Sequence, residues 1–206
     1  MNLLFVDTET SGFAKFSLPA DDPTQPHLVQ LAAILTDPTG RPLNTFGLLI
    51  KPEGWEIPAE ATAVHNITTA MCHEHGVKLA GAVNLLLRLL TGNVTMVAHN
   101  LRFDQMVLRT AVARSGCAWP EVPTYCTMLA ATPIVGLPNP NGRRGNKWPQ
   151  LKEAYRHFTG KEPEVTHDAL ADVRSCMEVF FKLNPPDRVV PERVPAVNWE
   201  GDGSGD

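Results

Sequence analysis

Residues 3–12 read "LLFVDTETSG". The four residues before Asp7 are apolar without a break, and so short and continuous a run suits a central strand covered on both faces. At its end stand two carboxylates, Asp7 and Glu9, one residue apart. Residues two apart in a strand share a face and lie about 7 Å apart along the chain, so the two acids project together if the strand stays regular. Like charges that close call for a cation. An isolated D-x-E also fits two solvated acids where a strand frays into a loop, so the spacing gains weight only from the rest of the chain.

Working outward, "SGFAKFSLPADDPTQP" (residues 11–26) holds three prolines and a glycine and reads as a long surface loop. "HLVQLAAILTD" and "PLNTFGLLIKP" are two strand-like runs joined by "DPTGR", which predicts an antiparallel hairpin. After Pro58, "AEATAVHNIT" is a short helical segment. "GVKLAGAVNLLLRLL" repeats apolar residues three and four apart before stopping at Gly92. "VTMVAH" is a second buried strand. A helix from about Leu101 to Ser115 follows, then a short strand in "PTYCTM" and a loop, "PIVGLPNPNGRRGNKWP". The pattern ends with a helix in "QLKEAYRHF" and another from about Asp168 to Leu183. Hairpin strands followed by alternating strands and helices predict an α/β domain with a mixed sheet over residues 1–184. Residues 185–206, rich in proline and ending in an acidic, glycine-rich stretch, read as an extended or disordered tail.

Composition narrows the function classes. With 206 residues and 43% hydrophobic content, the chain is long enough for one sizeable core, burying roughly two-thirds of its unfolded surface. Eighteen Lys and Arg against 22 Asp and Glu leave a net charge of −4, so bulk electrostatics do not announce a nucleic-acid binder. No apolar run approaches the length of about 20 residues needed to cross a bilayer, which predicts no membrane partner. The acidic pair follows the start too soon for a secretion signal, so a cytoplasmic protein is expected. Cys72, Cys117, Cys126 and Cys176 form no CxxC pair and are expected to be reduced, buried thiols. "MCHEHG" offers Cys72, His73 and His75, whose spacing suits a tetrahedral zinc site poorly.

Two further acidic sites lie near the ends of predicted elements. "VTMVAHNLRFDQ" leads from a buried strand through His99 and Asn100 to Asp104 in the first turn of a helix, at the strand edge where open α/β sheets place their sites. Complementing the helix dipole is the ordinary explanation for Asp104. In "EVTHDALADVRS", Thr166 or Asp168 can cap a helix, His167 precedes it, and Asp172 interrupts the apolar positions Ala169, Leu170, Ala171 and Val173. Each acid has a bland reading singly. Jointly those readings must account for four acids and a histidine at three element ends.

"VDTETSG", "HNLRFD" and "HDALAD" stand in the order and with the internal spacing of the three exonuclease motifs of the DEDD superfamily, in its histidine-containing DEDDh, or DnaQ-like, branch. Over residues 2–183 the chain resembles the proofreading exonuclease subunits of bacterial replicative polymerases and their stand-alone relatives. The resemblance implies a ribonuclease H-like fold, a mixed five-stranded sheet flanked by helices. It also implies two divalent cations, Mg²⁺ or Mn²⁺, which suit oxygen-rich acidic sites. Two metals about 3.5–4 Å apart stabilise both ends of a phosphodiester displacement. By resemblance, Asp7, Glu9 and Asp172 hold the ion that activates water, Asp7 and Asp104 support the one facing the leaving group, and His167 accepts the proton of the attacking water.

The resemblance also implies substrate contacts: the main chain at Thr10 and Gly12, Val64 and His65 in the "V-H-x-I-T" stretch, and Phe103 against a base. Without it, His65 reads as a polar residue on a short helix and Phe103 as core. Arg143 and Arg144, with Lys147 and Trp148, lie in a glycine- and asparagine-rich loop and suit phosphate contact and stacking, which the family does not supply. The expected reaction is 3′→5′ hydrolysis of single-stranded DNA to nucleoside 5′-monophosphates. The alternatives are an exoribonuclease, since only contacts to the 2′-hydroxyl separate the sugars, and a non-catalytic adaptor, which the five intact motif positions disfavour. A polymerase partner is compatible with the resemblance, although no polymerase- or clamp-binding sequence is recognised.

Overall fold

A computed structural model of the chain describes residues 1–140, 142, 144–163 and 168–185. In chain order these form β1 (Asn2–Thr10), β2 (Leu28–Thr36), β3 (Pro42–Leu49), α1 (Ala59–His65), α2 (Thr69–His75), α3 (Leu79–Leu90) and β4 (Val94–Ala98). There follow α4 (Leu101–Arg114), β5 (Thr124–Cys126), α5 (Thr127–Val135), α6 (Leu151–Thr159) and α7 (Ala169–Leu183). The strands make one sheet in the order β3-β2-β1-β4-β5, so the chain opens with the sheet's central strand. β1 is antiparallel to β2 and parallel to β4, β2 and β3 form the expected hairpin, and β5 lies parallel to β4. The mixed five-stranded sheet and α/β class are as the sequence predicts.

The unbroken apolar start of β1 has a direct cause in packing. Leu4 and Val6 point into a core shared with Leu86 of α3 and Leu108 of α4. Leu3 and Phe5 point the other way, against Val173 and Phe180 of α7. The Phe180 ring meets Phe5 edge-on at 5.4 Å and Tyr125 at 4.9 Å, an arrangement that adds to the burial of the rings. Both faces of β1 are thus closed before its acidic end is reached.

The loop of residues 11–26 is folded around a single buried amide. The Gln25 side chain is 2% exposed; its oxygen accepts from the Lys15 N–H at 3.0 Å and its nitrogen donates to the Lys15 carbonyl at 2.9 Å. From the end of α4, Arg114 donates to the carbonyls of Gln25 and Pro26 at 2.6 and 2.7 Å. The loop is tied to the body of the protein at its C-terminal end.

Several boundaries differ from the sequence expectation. β1 runs to Thr10 because pairing with β2 continues through Glu9↔Gln30 before the register shifts. The segment expected as one short helix after Pro58 ends at His65, where Asn66 turns left-handed at φ 59°, and a second helix, α2, starts after the Thr68 cap. The expected strand in "PTYCTM" stops at Cys126, and helix α5 takes residues predicted as strand and loop. Pro133 misled the reading; it lies within α5, where it forgoes the N–H that would donate to the Leu129 carbonyl, and Gly136 at φ 64° closes the helix three residues later. Cys72 and Cys176 are buried as expected, but Cys117 and Cys126 are half-buried, and all four are free thiols. Among the described residues, no helix is long and apolar enough to cross a membrane. The expected tail lies outside the described residues except for Pro185.

Because Phe180 closes the α7 face of β1, Phe180→Ala is expected to lower unfolding free energy by about 3–5 kcal/mol. Urea denaturation followed by circular dichroism measures this; a loss below about 1 kcal/mol would contradict the packing role.

Candidate active site

The alternation of side chains along β1 sorts its polar end. Asp7 and Glu9 continue the face of Leu3 and Phe5, which is covered by α7, while Thr8 continues the face of Leu4 and Val6, which is covered by α4. Helix α7 supplies Asp172 in its first turn. One carboxylate oxygen each from Asp7, Glu9 and Asp172 lie within 4.8 Å of one another, and all three residues are half-buried. Across the strand, the Thr8 hydroxyl donates to Asp104 Oδ1 at 2.9 Å, and Asp104 is 3% exposed. Asp104 therefore sits beside the three-carboxylate group under the control of the opposite face of the same strand.

Local structure explains why α7 starts where it does. Asp168, one of the two residues expected to cap it, accepts from the N–H groups of Leu170 and Ala171 at 3.1 and 3.0 Å. The Gln30 side chain, opposite Glu9 in the β1–β2 ladder, accepts from the Ala169 N–H at 3.2 Å. That bond anchors the helix start to the sheet at the level of the acids. Asp172 is then one turn along.

The electrostatics are those of anions forced together. Burial, followed by the charges of Asp104, Asp172 and Glu9, pushes the Asp7 carboxyl well above its usual range. Burial and Asp172 raise Glu9 to about 7. Burial raises Asp104 to about 7 as well, against the opposing hydrogen bond from Thr8. A divalent cation reverses each of these penalties, and hard carboxylate oxygens from a strand and a helix are a donor set that fits Mg²⁺ or Mn²⁺.

The other predicted residues fall around this group. Thr10 is buried and its hydroxyl donates to the Gly12 carbonyl at 2.6 Å, bracing the turn that follows β1. Added side-chain bulk at Gly12 would meet nothing within 4 Å. Val64 is 53% exposed on α1, whereas the neighbouring His65 is buried and its Nδ1 accepts from the Ile67 N–H at 3.0 Å. Phe103 packs partly into the core under α4, and Arg144 is exposed. His167 and Arg143 lie outside the described residues. The sequence reading missed Thr8, although its place between two acids puts it on the opposite face of any regular strand. It also passed over His99, which is held by Thr127 Oγ1 at 3.0 Å and the Pro149 carbonyl at 2.9 Å. Burial lowers His99 to about 4, so it is neutral. A carbonyl only accepts, so Nε2–H donates to Pro149 and Nδ1 receives the Thr127 hydroxyl.

The exonuclease family model RNase T matches residues 4–180, a span that includes all four acids. The chain belongs to this exonuclease family. The chain is 30% identical over 190 residues to an uncharacterized exonuclease, CP81, of Escherichia phage 186, covering 87% of each chain. It is 29% identical over 189 residues to a DNA polymerase III subunit epsilon-like protein of Rhodobacter capsulatus, covering 90% of this chain and 24% of that protein. The chain thus spans about a quarter of the length of the longer bacterial relatives it matches. Escherichia coli exonuclease I, solved in complex with a dA16 oligonucleotide, shares the fold with a TM-score of 0.68 at 22% identity, over 89% of this chain and 41% of that one. The ribonuclease H-like architecture and the membership of an exonuclease family follow the sequence expectation.

The raised carboxyls fix the sign of a pH effect. Glu9 and Asp104 bind protons more tightly folded than unfolded, so without metal stability is greatest below about pH 4 to 5 on this account and falls as pH rises toward the folded values near 7. Metal-free protein should lose several degrees of Tm between pH 5 and pH 8, and Mn²⁺ should restore them at pH 8. Asp7→Asn should raise the metal-free Tm at pH 8. Differential scanning fluorimetry in EDTA and in Mn²⁺ checks all three; a Tm independent of pH and metal would refute the charge crowding.

Proposed function

We propose that the chain is a metal-dependent 3′→5′ exonuclease that shortens single-stranded DNA and releases nucleoside 5′-monophosphates. The observation that carries this reading is the meeting of Asp7, Glu9 and Asp172 within 4.8 Å, from a central strand and the helix packed on it, with Asp104 beside them. Asp7, Glu9 and Asp172 would hold one divalent cation, and Asp7 with Asp104 a second, Mg²⁺ or Mn²⁺. Bound there, the ions supply positive charge to the attacking and leaving oxygens of the phosphodiester. His167 takes the proton of the attacking water, a task suited to a side chain whose ordinary pKa is about 6.5.

Around the cations, the chain's own residues position the strand. The turn braced by Thr10 and Gly12 offers its main chain to the terminal nucleotide, and the exposed Val64 on α1 offers an apolar contact to its base, with His65 seated behind it. Phe103 lines the same edge from α4, and Arg143 and Arg144 meet phosphates further along the strand. A terminal base must be unpaired to reach the carboxylates, which favours single strands. The DNA-bound forms of exonuclease I, solved with dA16 and dT13, share this fold and support DNA as the substrate class.

The test uses matched DNA and RNA oligonucleotides labelled at the 5′ end, with Mg²⁺, Mn²⁺ or EDTA. A ladder shortening from the 3′ end is expected, faster on DNA, and lost in EDTA and in Asp7→Ala. Faster loss of RNA would transfer the assignment to an exoribonuclease, and no cleavage by folded, metal-loaded protein would defeat it. His167→Ala is expected to reduce turnover by about 10²–10⁴-fold at an unaltered Tm. Turnover within a few-fold of the parent would remove His167 from the mechanism.

A further inference from the structure

The described residues on either side of the glycine- and asparagine-rich stretch between α5 and α6 are anchored at several points. Pro138 and Asn146 form an antiparallel bridge, and the Lys147 N–H donates to the Leu137 carbonyl at 2.9 Å, so Leu137 and Pro138 are held beside Asn146 and Lys147. Further along the chain, the Pro149 carbonyl is held by His99 and Pro149 itself is buried. Glu153 of α6 then receives both Lys147 Nζ and the Gln150 N–H at 2.7 Å. Trp148 lies between these anchors, its backbone fixed on both sides. Yet its side chain is 51% exposed, among the most exposed large apolar groups described.

His99 also gives the location. Phe5 of β1 pairs with Val97 of β4 in parallel register, so Asp7 and His99, each two residues on, are level with one another at neighbouring strand ends. Adjacent strands lie about 5 Å apart. The residue after Trp148 is therefore fastened, through the His99 side chain, to the strand that neighbours the carboxylates, at the same edge of the sheet. Arg144 is exposed, four residues before Trp148 in sequence. An exposed indole on a fixed backbone close to the carboxylates, with an exposed guanidinium four residues before it in sequence, supplies the two elements that single strands recognise: a flat apolar face for a base and a cation for the backbone.

We propose that Trp148 is a stacking platform for an unpaired base of the single-stranded substrate, on the 5′ side of the nucleotide held at the carboxylates, with Arg144 meeting the adjoining phosphate. This rests on the exonuclease reading above. Because the backbone of Trp148 is already fixed, stacking orders little besides the strand. His99 is a positioning residue here; it holds the peptide that presents the ring.

The experiment compares kcat/KM on the oligonucleotide dT8 with kcat/KM on the p-nitrophenyl ester of thymidine 5′-monophosphate, which has no upstream base. In Trp148→Ala the ratio of the two is expected to fall about 5- to 100-fold, the factor one base–aromatic stack is worth, and Trp148→Phe should recover most of it. Damage to the fold lowers both rates and leaves the ratio, so an unchanged ratio overturns the proposal. Fluorescence anisotropy of labelled dT8 in EDTA reads the same contact without turnover: Trp148→Ala should raise Kd by a similar factor, and an unchanged Kd would assign the exposed ring to another partner, such as a protein. If the parent chain hydrolysed neither substrate, the exonuclease reading would fall, while the anisotropy result would still decide the platform.

Discussion

The structure depends on one constraint: the pleat of β1 sends successive side chains to opposite faces of the sheet, and both faces are covered. Leu3 and Phe5 seat α7, and Leu4 and Val6 seat α3 and α4. When the same strand changes from apolar to acidic, the alternation continues, so Asp7 and Glu9 arrive under α7 and Thr8 arrives under α4. No separate device is needed to bring Asp172 and Asp104 to the strand from two directions. The packing that buries the strand also assembles the acids.

That assembly is electrostatically unfavourable on its own. Asp7, Glu9 and Asp104 all have their protonated forms favoured, chiefly by burial, with mutual repulsion adding to it at Asp7 and Glu9. Hydrophobic contacts under the strand, including the Phe5–Phe180 edge contact, hold the carboxylates in place against this repulsion. Stability is thus taken from the apolar half of β1 to support a functional arrangement at its polar half, a trade common at sites whose chemistry requires concentrated charge.

Much of this was legible in the sequence. The continuous apolar start of β1, the hairpin after it and the positions of the three acidic motifs all derive from local patterns that survive folding unaltered. What escaped was decided by contacts far apart in the chain. Helix α5 was hidden by Pro133, a local helix breaker whose lost donor is outweighed by the packing of Ala131 against Ala154 and Tyr155 of α6 and Val179 of α7. α2 was lost in "TAMCHEH", where the turn at Asn66 and the Thr68 cap divide one helical-looking stretch into two. Thr8 was visible as the odd residue out in "DTET", but its role requires Asp104, 96 positions away. His99 reads as an ordinary polar residue after a strand until its two partners, 28 and 50 positions distant, are known.

The loop that follows the first acidic pair shows how such a site can tolerate change around it. Its fold relies on the Gln25 amide, which bonds to the main chain of Lys15 and not to any side chain within the loop. Arg114 likewise grips the carbonyl oxygens of Gln25 and Pro26, beside its contact with the His27 ring at 3.4 Å. Main-chain atoms are the same whatever the residue, so the composition of the intervening segment is free to drift provided these two anchors persist. In evolutionary terms residues 17–21 form a replaceable insert, and their amino acids can be exchanged, by natural divergence or by design, while the neighbouring turn between Thr10 and Gly12 keeps its shape.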